Sequence, residues 1–533
     1  MEGTSSFKRL LNAVLQVARD PRPRLDWIMG AALGLAALLL YLSARNVFYG
    51  FDALLYAEAV ERGSAERLLH PHHLLYNPLC RVAYDLGRLL GYGGRALTPM
   101  HVVNALAGGA GVFLIFTLCR RLGAGRLASL GAGAALATAA AYWSTAAGVA
   151  THLPGMAMAL AALYAAAVTR ASAVRAAVAG AVCAGAALFD QINLLLAPPV
   201  AAYLFFSGPA PRRRLTGFAV AYAAAFAVGY VFVPVTFLKM AALAAYVDWF
   251  FYYARLDRWG ILSVGNVLPG ADAFARVFYV NAFWDNATAP FVEGDLRHLR
   301  VALPLWLAVV ICGWNLLLWF GRGPGRRALI LLGPTFFLYA CFTLWWVSDY
   351  IDLWLVPAGC LLVAVALAVS NRRQGRGISF LALSLAWLGI VNVNWRDGIE
   401  PRTELRANAD YRAAATLAAT VPRNALTYLA PTPVLTYARY FNGMTKARTP
   451  NWALSESDGD SEEAARRLEA LMRGEWDCGR RIYVGDRAFP GLGGPPFRAL
   501  GERLLRRGRP VGSYAGAVIS ETIYAVPPDA AGD

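Results

Sequence analysis

Lysine is nearly missing from this chain: Lys8, Lys239 and Lys446 interrupt a basic complement otherwise made of arginine. Charge of either sign is scarce, since 16% of the 533 residues are Asp, Glu, Lys or Arg against 58% hydrophobic. With a mean hydropathy of +0.44, such a chain lacks the polar surface to cover itself in water, which excludes a soluble globular protein and fits a polytopic membrane protein. The seven cysteines include no C-x-x-C and no metal-ligand spacing with histidine. Cys119, Cys183, Cys312, Cys341 and Cys360 lie in or at the ends of apolar runs, where a thiol behaves as a small hydrophobe. Only Cys80 and Cys478 fall where an oxidising compartment would reach them, so no disulfide framework is implied. A Gly-rich phosphate cradle and an internal repeat are also absent. The preference for Arg, with abundant Ala and Gly, is a compositional bias that carries no function.

What is present is a series of apolar runs. Those long enough for a hydrocarbon core of ~30 Å lie near 26–43, 99–119, 127–145, 152–169, 174–190, 192–207, 215–238, 301–320, 328–347, 352–370 and 378–395. The net charge of +16 suggests nucleic acid at first, but the arginines sit in short clusters between these runs. Clusters such as Arg120, Arg121 and Arg126, or Arg212, Arg213 and Arg214, mark cytoplasmic loops instead. The expectation is a polytopic α-helical membrane protein of about 11 transmembrane helices in the cytoplasmic (inner) membrane of a bacterium. The N-terminal arm, residues 1–25, would be cytoplasmic and the first apolar run retained, not cleaved. A membrane domain would span 26–395, with outer loops at 44–98 and 239–300.

Residues 396–533 change composition, becoming charged and rich in Pro and Gly, which predicts a soluble α/β domain outside the membrane. Alternation predicts strands over 424–430, 433–440, 481–484 and 512–526, and helical periodicity predicts helices over 404–420, 461–473 and 497–507. The tail holds no nucleophile elbow or paired-carboxylate motif, so acceptor binding or packing is its default role.

The most informative stretch is the first outer segment, FDALLYAEAVERGSAERLLHPHHLLYNP, from Phe51 to Pro78. It places a carboxylate, Asp52, at the water-facing end of the first apolar run. Two amphipathic helices on the outer membrane surface follow, on either side of a His-Pro turn. Simple anchoring requires none of this. In order come Asp52, Tyr56 and Ala57, His70-Pro71, a second surface helix from His73 to Leu90, Arg95, and a span ending in Cys119-Arg120-Arg121-Leu122-Gly123. This ordered set resembles the GT-C superfamily of integral-membrane glycosyltransferases, closely over residues 26–126 and in architecture beyond them. Two departures stand out: Asp52 is followed by Ala53 where many members carry a second acid, and the family's His-Pro-Pro reads His70-Pro71-His72-His73 here.

The resemblance implies transfer of a sugar, with inversion, from a polyprenyl-phosphate donor to a hydroxyl of a lipid, glycan or protein acceptor on the outer membrane face. A phosphate is already a good leaving group, so one base suffices, and Asp52 is the candidate. The competing reading of Asp52 is an ordinary helix N-cap. Arg45, Lys239, Arg255 and Arg258 are the outward cations available to the donor phosphate. Tyr56, His70, His72, His73, His152, Asp190, Asp349 and Asp352 are candidate cavity-lining residues. The bland readings are a polar turn for the three clustered histidines, a helix start for His152, and boundary carboxylates of low cost for the three aspartates. No metal site is expected, with a divalent cation at the histidines the alternative, and no cofactor or nucleic-acid partner is called for. Two other functions fit many spans with boundary charges: a transporter or flippase, and a non-catalytic assembly subunit. The absence of paired repeat halves argues against the first.

Overall fold

The computed structural model describes residues 21–169, 172–252, 260, 263–280, 299–321, 325–370, 376–430, 432–457, 460–489, 494–517 and 519–528. It divides into two compact units, Met1–Asn46 with Ala59–Pro401, and Val47–Glu58 with Arg402–Asp533.

In the first unit the apolar runs are helical. Arg24–Ser43, Leu97–Leu122, Pro211–Phe237, Arg326–Trp346 and Ile351–Ser370 are the five helices among the described residues that are long and apolar enough to cross a membrane. His152–Val168, Ala173–Phe189, Gln191–Phe206 and Trp306–Phe320 are shorter apolar helices. Two runs read as continuous are interrupted. Helices Arg126–Thr138 and Ala140–Ala146 part at Ala139, whose ψ of 134° is extended. A 3-10 turn over Gln191–Leu196 precedes Ala197–Phe206, where the adjacent prolines, lacking N–H donors, suit a helix's first turn.

Small residues bring helices close. A Cβ at Gly34 would lie 2.8 Å from the Gly109 carbonyl oxygen, and one at Gly109 2.7 Å from that of Gly34, so the first helix meets Leu97–Leu122 backbone to backbone. Buried phenols find acceptors: Tyr41 Oη donates to the Ala137 carbonyl at 3.0 Å and Tyr142 Oη to that of Gly108 at 2.8 Å. Asp26 receives Arg120 at 3.0 Å and Arg126 at 2.6 Å, so two arginines of one basic cluster also tie helices together.

The segment from Phe51 to Leu89 is helical where amphipathicity predicted it, with a break. Helix Phe51–Arg62 ends at Gly63, whose φ of +68° is left-handed, and Ala65–Leu68 is a separate turn. Arg81 Nη1 donates to the carbonyls of Val60 at 2.9 Å and Glu61 at 3.3 Å, meeting the negative end of that helix. The second helix, Tyr76–Leu89, starts three residues later than expected, because Pro71–His73 form a 3-10 turn. Its exposed face carries Leu79, Val82, Leu86 and Leu89, an apolar stripe at helical spacing.

The second unit holds a five-stranded sheet of order β2-β1-β3-β5-β4. Strands β1 (Leu426–Tyr428), β2 (Ala447–Arg448) and β3 (Ile482–Gly485) are mutually parallel, and the hairpin β4 (Arg509–Ala515) with β5 (Ser520–Val526) adds antiparallel through β5. Helices Ser461–Asp477 and Pro495–Arg507 pack Leu468, Met472, Phe497 and Leu504 onto Leu426, Ile482 and Val484. One predicted strand is a helix. Pro433–Asn442 begins with proline in its first turn and stops at Gly443, φ +67°, so the terminators, not the apolar alternation, were the true signal. Run 512–526 falls within two strands, not one.

This unit includes the segment that carries Asp52. The Val47 amide donates to the Arg402 carbonyl at 2.8 Å. Tyr437 Oη accepts from the Tyr49 amide at 2.8 Å and donates to the Tyr49 carbonyl at 3.1 Å. Arg439 Nη2 reaches both carboxylate oxygens of Glu58 at 3.0 Å.

Candidate functional site

The first unit gathers the His-Pro turn with two other chain segments. Leu75 donates its amide to the Leu188 carbonyl at 3.0 Å, and Trp249 Nε1 donates to the Leu69 carbonyl at 3.3 Å, which fixes the turn between them. His70 Nδ1 accepts from the His72 amide at 3.3 Å, the hydrogen bond that starts the 3-10 turn. Behind it His73 stacks on His70, centroids 5.9 Å apart, and stands edge-on to His152 at 5.5 Å. The His73 Nε2 lies 3.4 Å from Thr151 Oγ1. Tyr252 closes on His70 edge-on at 5.3 Å.

Burial decides the charge of these rings. Desolvation pushes His70 down to about 4 and His72 to about 3, and holds His73 well below the ordinary imidazole value. All three are neutral at pH 7, so they form a polar, uncharged wall. A phosphate-binding role for them rests on neutral hydrogen bonds instead of charge.

The tightest contact of the cluster joins His152 and Asp190. His152 Nδ1 lies 2.5 Å from Asp190 Oδ2, with side chains 13% and 9% exposed. His152 opens its helix directly after Thr151. Asp190 closes Ala173–Phe189 in extended backbone, and its Oδ1 accepts the Ile192 amide at 3.4 Å to start the next turn. The helix-start and boundary readings are thus both correct as local structure, and the two residues still meet. On the other ring nitrogen, His152 Nε2 lies 3.3 Å from Tyr350 Oη. Tyr350 is 42% exposed. Half-buried Asp352 stands within electrostatic reach of both His152 and Asp190, whereas Asp349 is exposed in the turn before Tyr350.

Gly155 makes this approach possible. A Cβ there would lie 2.7 Å from Asp190 Cβ and 3.0 Å from Asn193 Nδ2. Gly155→Ala is therefore expected to displace Asp190 and lower stability by ~1–3 kcal/mol, the usual cost of overpacking. Thermal unfolding of the detergent-solubilised variant checks this, and an unchanged midpoint would show that the neighbouring helices yield freely.

The other sequence candidates are spread more widely. Asp52 is exposed and second in helix Phe51–Arg62, inside the first turn and not at the capping position, which corrects the N-cap reading. Tyr56 lies half-buried one turn further on. Both belong to the second unit and the histidine cluster to the first. Arg45 is half-buried beyond the first long helix, within electrostatic reach of His101. Lys239 is exposed at φ +56°, where it follows and ends helix Val233–Phe237, so its local role is helix termination. Arg255 and Arg258 lie outside the described residues. Among the described residues no group of three or more His, Cys, Asp or Glu is arranged to hold a metal ion. Tyr350, Thr151, Tyr252 and Gly155 were not singled out from sequence. Their signal was weak: an aromatic-rich turn, and a Thr-His-Leu-Pro-Gly start to a span.

No protein-family model and no curated protein sequence matches the chain. Solved structures do. ArnT from Cupriavidus metallidurans bound to undecaprenyl phosphate superposes with a TM-score of 0.58 at 13% identity, over 95% of this chain and 99% of its own. Its apo state gives 0.56 at 14% identity over 95% and 98%. The chain shares the fold of ArnT. Arabinofuranosyltransferase AftD from Mycobacteria aligns at a TM-score of 0.47 and 15% identity over 93% of this chain but 40% of its own.

Proposed function

We propose that this GT-C protein is a glycosyltransferase that moves a sugar, with inversion, from a polyprenyl-phosphate donor to a hydroxyl of a lipid, glycan or protein acceptor on the outer face of a bacterial cytoplasmic membrane. The observation that carries the reading is the fold shared over nearly the whole of both chains with ArnT, whose structure holds undecaprenyl phosphate. Asp52 is the proposed general base, an exposed carboxylate at the start of the helix that follows the first long apolar one. The acceptor hydroxyl gives its proton to Asp52 as its oxygen attacks the anomeric carbon. The bond from that carbon to the phosphate oxygen breaks, and its electron pair leaves with the phosphate. Arg45, Lys239, Arg255 and Arg258 are the proposed cations for the phosphate, and Tyr56 and the histidines the proposed lining. The N-terminus would face the cytoplasm and residues 396–533 the outside.

Purified protein in nanodiscs, given a polyprenyl-phosphate sugar in one arm and nucleotide sugars in another with an envelope extract as acceptor, tests the reading. Transfer should need the lipid donor. Turnover with nucleotide sugar alone, free of lipid carrier, would sink it. In the same assay Lys239→Ala should raise the donor KM by about tenfold or more, because a hydrogen bond to a charged group contributes ~1.5–3 kcal/mol, while the acceptor KM stays within about twofold. Equal change in both would remove Lys239 from the phosphate.

A further inference from the structure

Asp190, His152 and Tyr350 form a continuous hydrogen-bonded line from a buried carboxylate, 2.5 Å from His152 Nδ1, through the imidazole, to a phenol 3.3 Å from its Nε2. The line is buried at one end and open at the other: Asp190 and His152 side chains are 9% and 13% exposed, Tyr350 is 42% exposed. Resting on the function proposed above, we propose that this line is a proton relay that makes Tyr350 the general acid for the departing phosphate, with His152 as the proton reservoir and Asp190 as the residue that positions it.

The direction of the relay follows from what each atom can do. The carboxylate beside Nδ1 fixes the ring and stabilises the imidazolium, as a buried aspartate does behind a catalytic histidine. Imidazolium Nε2–H donates to Tyr350 Oη, which turns the phenol's own hydrogen outward. A phenol with an ordinary value near ~10 is protonated at neutral pH, so the group presented to a ligand is a donor and not a base. The carboxylate of Asp352 is within electrostatic reach, while the rings on the other side, His72 and His73, are neutral and do not repel the imidazolium.

The balance is simple. As the anomeric carbon–oxygen bond breaks, the phosphate changes from a diester monoanion to a monoester that gains a second negative charge. Tyr350 gives its proton to the phosphate oxygen and takes one from His152 Nε2, leaving neutral imidazole against the Asp190 carboxylate. Two proton transfers deliver one proton net from His152 to the phosphate, no electrons are exchanged with a cofactor, and bulk water reprotonates the ring between turnovers. The attacking hydroxyl's proton goes elsewhere, to Asp52, so acid and base are separate groups.

The test uses the full-length protein in nanodiscs with a polyprenyl-phosphate sugar, and measures kcat against pH for wild type, Tyr350→Phe and His152→Gln. Tyr350→Phe removes only an exposed hydroxyl and keeps the ring, so it remains informative if His152→Gln fails to fold. Wild-type kcat should fall as pH rises through an imidazole titration. Each variant should lose ~10²-fold or more at neutral pH and lose that alkaline limb, with donor KM changed by less than about threefold. Variants within a few-fold of wild type would overturn the relay and leave the glycosyltransferase reading standing. So would a large drop in Tyr350→Phe with the alkaline limb intact, which would make Tyr350 a simple phosphate ligand. A limb on the acid side, lost in His152→Gln, would make the pair a base and overturn the assignment. Wild type that turns over no polyprenyl-phosphate sugar would overturn both.

Discussion

Replacing Asp52 with Asn should lower sugar transfer by ~10²- to 10⁴-fold, the range lost with a general base, while the protein still folds. Asn matches Asp in size but has no proton affinity near neutral pH. The structural cost should be small, because Asp52 is exposed in the first turn of helix Phe51–Arg62 and Asn keeps its size and an acceptor oxygen. A charge in the first turn contributes ~0.3–1 kcal/mol, far less than would unfold a polytopic protein. Asp52→Glu separates the two roles: it keeps the charge at the helix end but moves the carboxylate by a methylene. It should retain full stability and still lose most activity, since catalysis tolerates misplacement of about 1 Å poorly. The measurement is transfer per folded molecule, with folding read from gel filtration and thermal midpoint. If Asp52→Asn transfers at near the wild-type rate, Asp52 is not the base and the first outer segment must be read as structural.

The positions of the helices were legible because lipid imposes a crude rule. A segment must be apolar over a membrane's thickness and satisfy its own backbone, and long runs such as Leu97–Leu122 follow it. The interruptions at Ala139 and at Gln191–Leu196 were not legible, because the side chains on both sides are equally apolar. The His-Pro turn announced itself by composition, but its neutral character did not, since burial is a property of the assembled helices. The same limit hid the relay. His152 is 38 residues from Asp190 and 198 from Tyr350, and no periodicity links positions that far apart. In the second unit, strand Ile482–Gly485 was visible as a short apolar run, whereas Pro433–Asn442 imitated one. The tether of Tyr49 to Tyr437 spans 388 residues and left no trace in either segment alone.

The second unit should lose stability as pH rises from about 4.5 to about 7, through one residue. Glu521, 1% exposed in β5, accepts the Ala430 amide at 3.3 Å through Oε1 and the Tyr514 phenol through Oε2. Burial, reinforced by the charge of Asp486, pushes its carboxyl up to about 7 from an ordinary 4.5. Between those values the folded protein keeps a proton that the unfolded chain has released. The unfolded state binds fewer protons, so stability falls with rising pH, by about 3 kcal/mol across the window, and levels off above it. The contribution is complete below about 4.5 and gone once the folded carboxyl ionises. Amide exchange protection in β3 and β5 of the full-length protein, corrected for the intrinsic rate, reads this directly. Protection should drop on the order of 10²-fold between pH 5 and pH 8. Glu521→Gln cannot ionise, and its Oε1 can still accept the Ala430 amide while its Nε2 can only donate to the Tyr514 Oη, so its protection should be lower than wild type at pH 5 and nearly independent of pH. A wild-type slope that persists in Glu521→Gln would assign the effect to Asp486 or Asp410 instead, and protection that rises with pH would mean the carboxyl is ionised in the folded protein throughout.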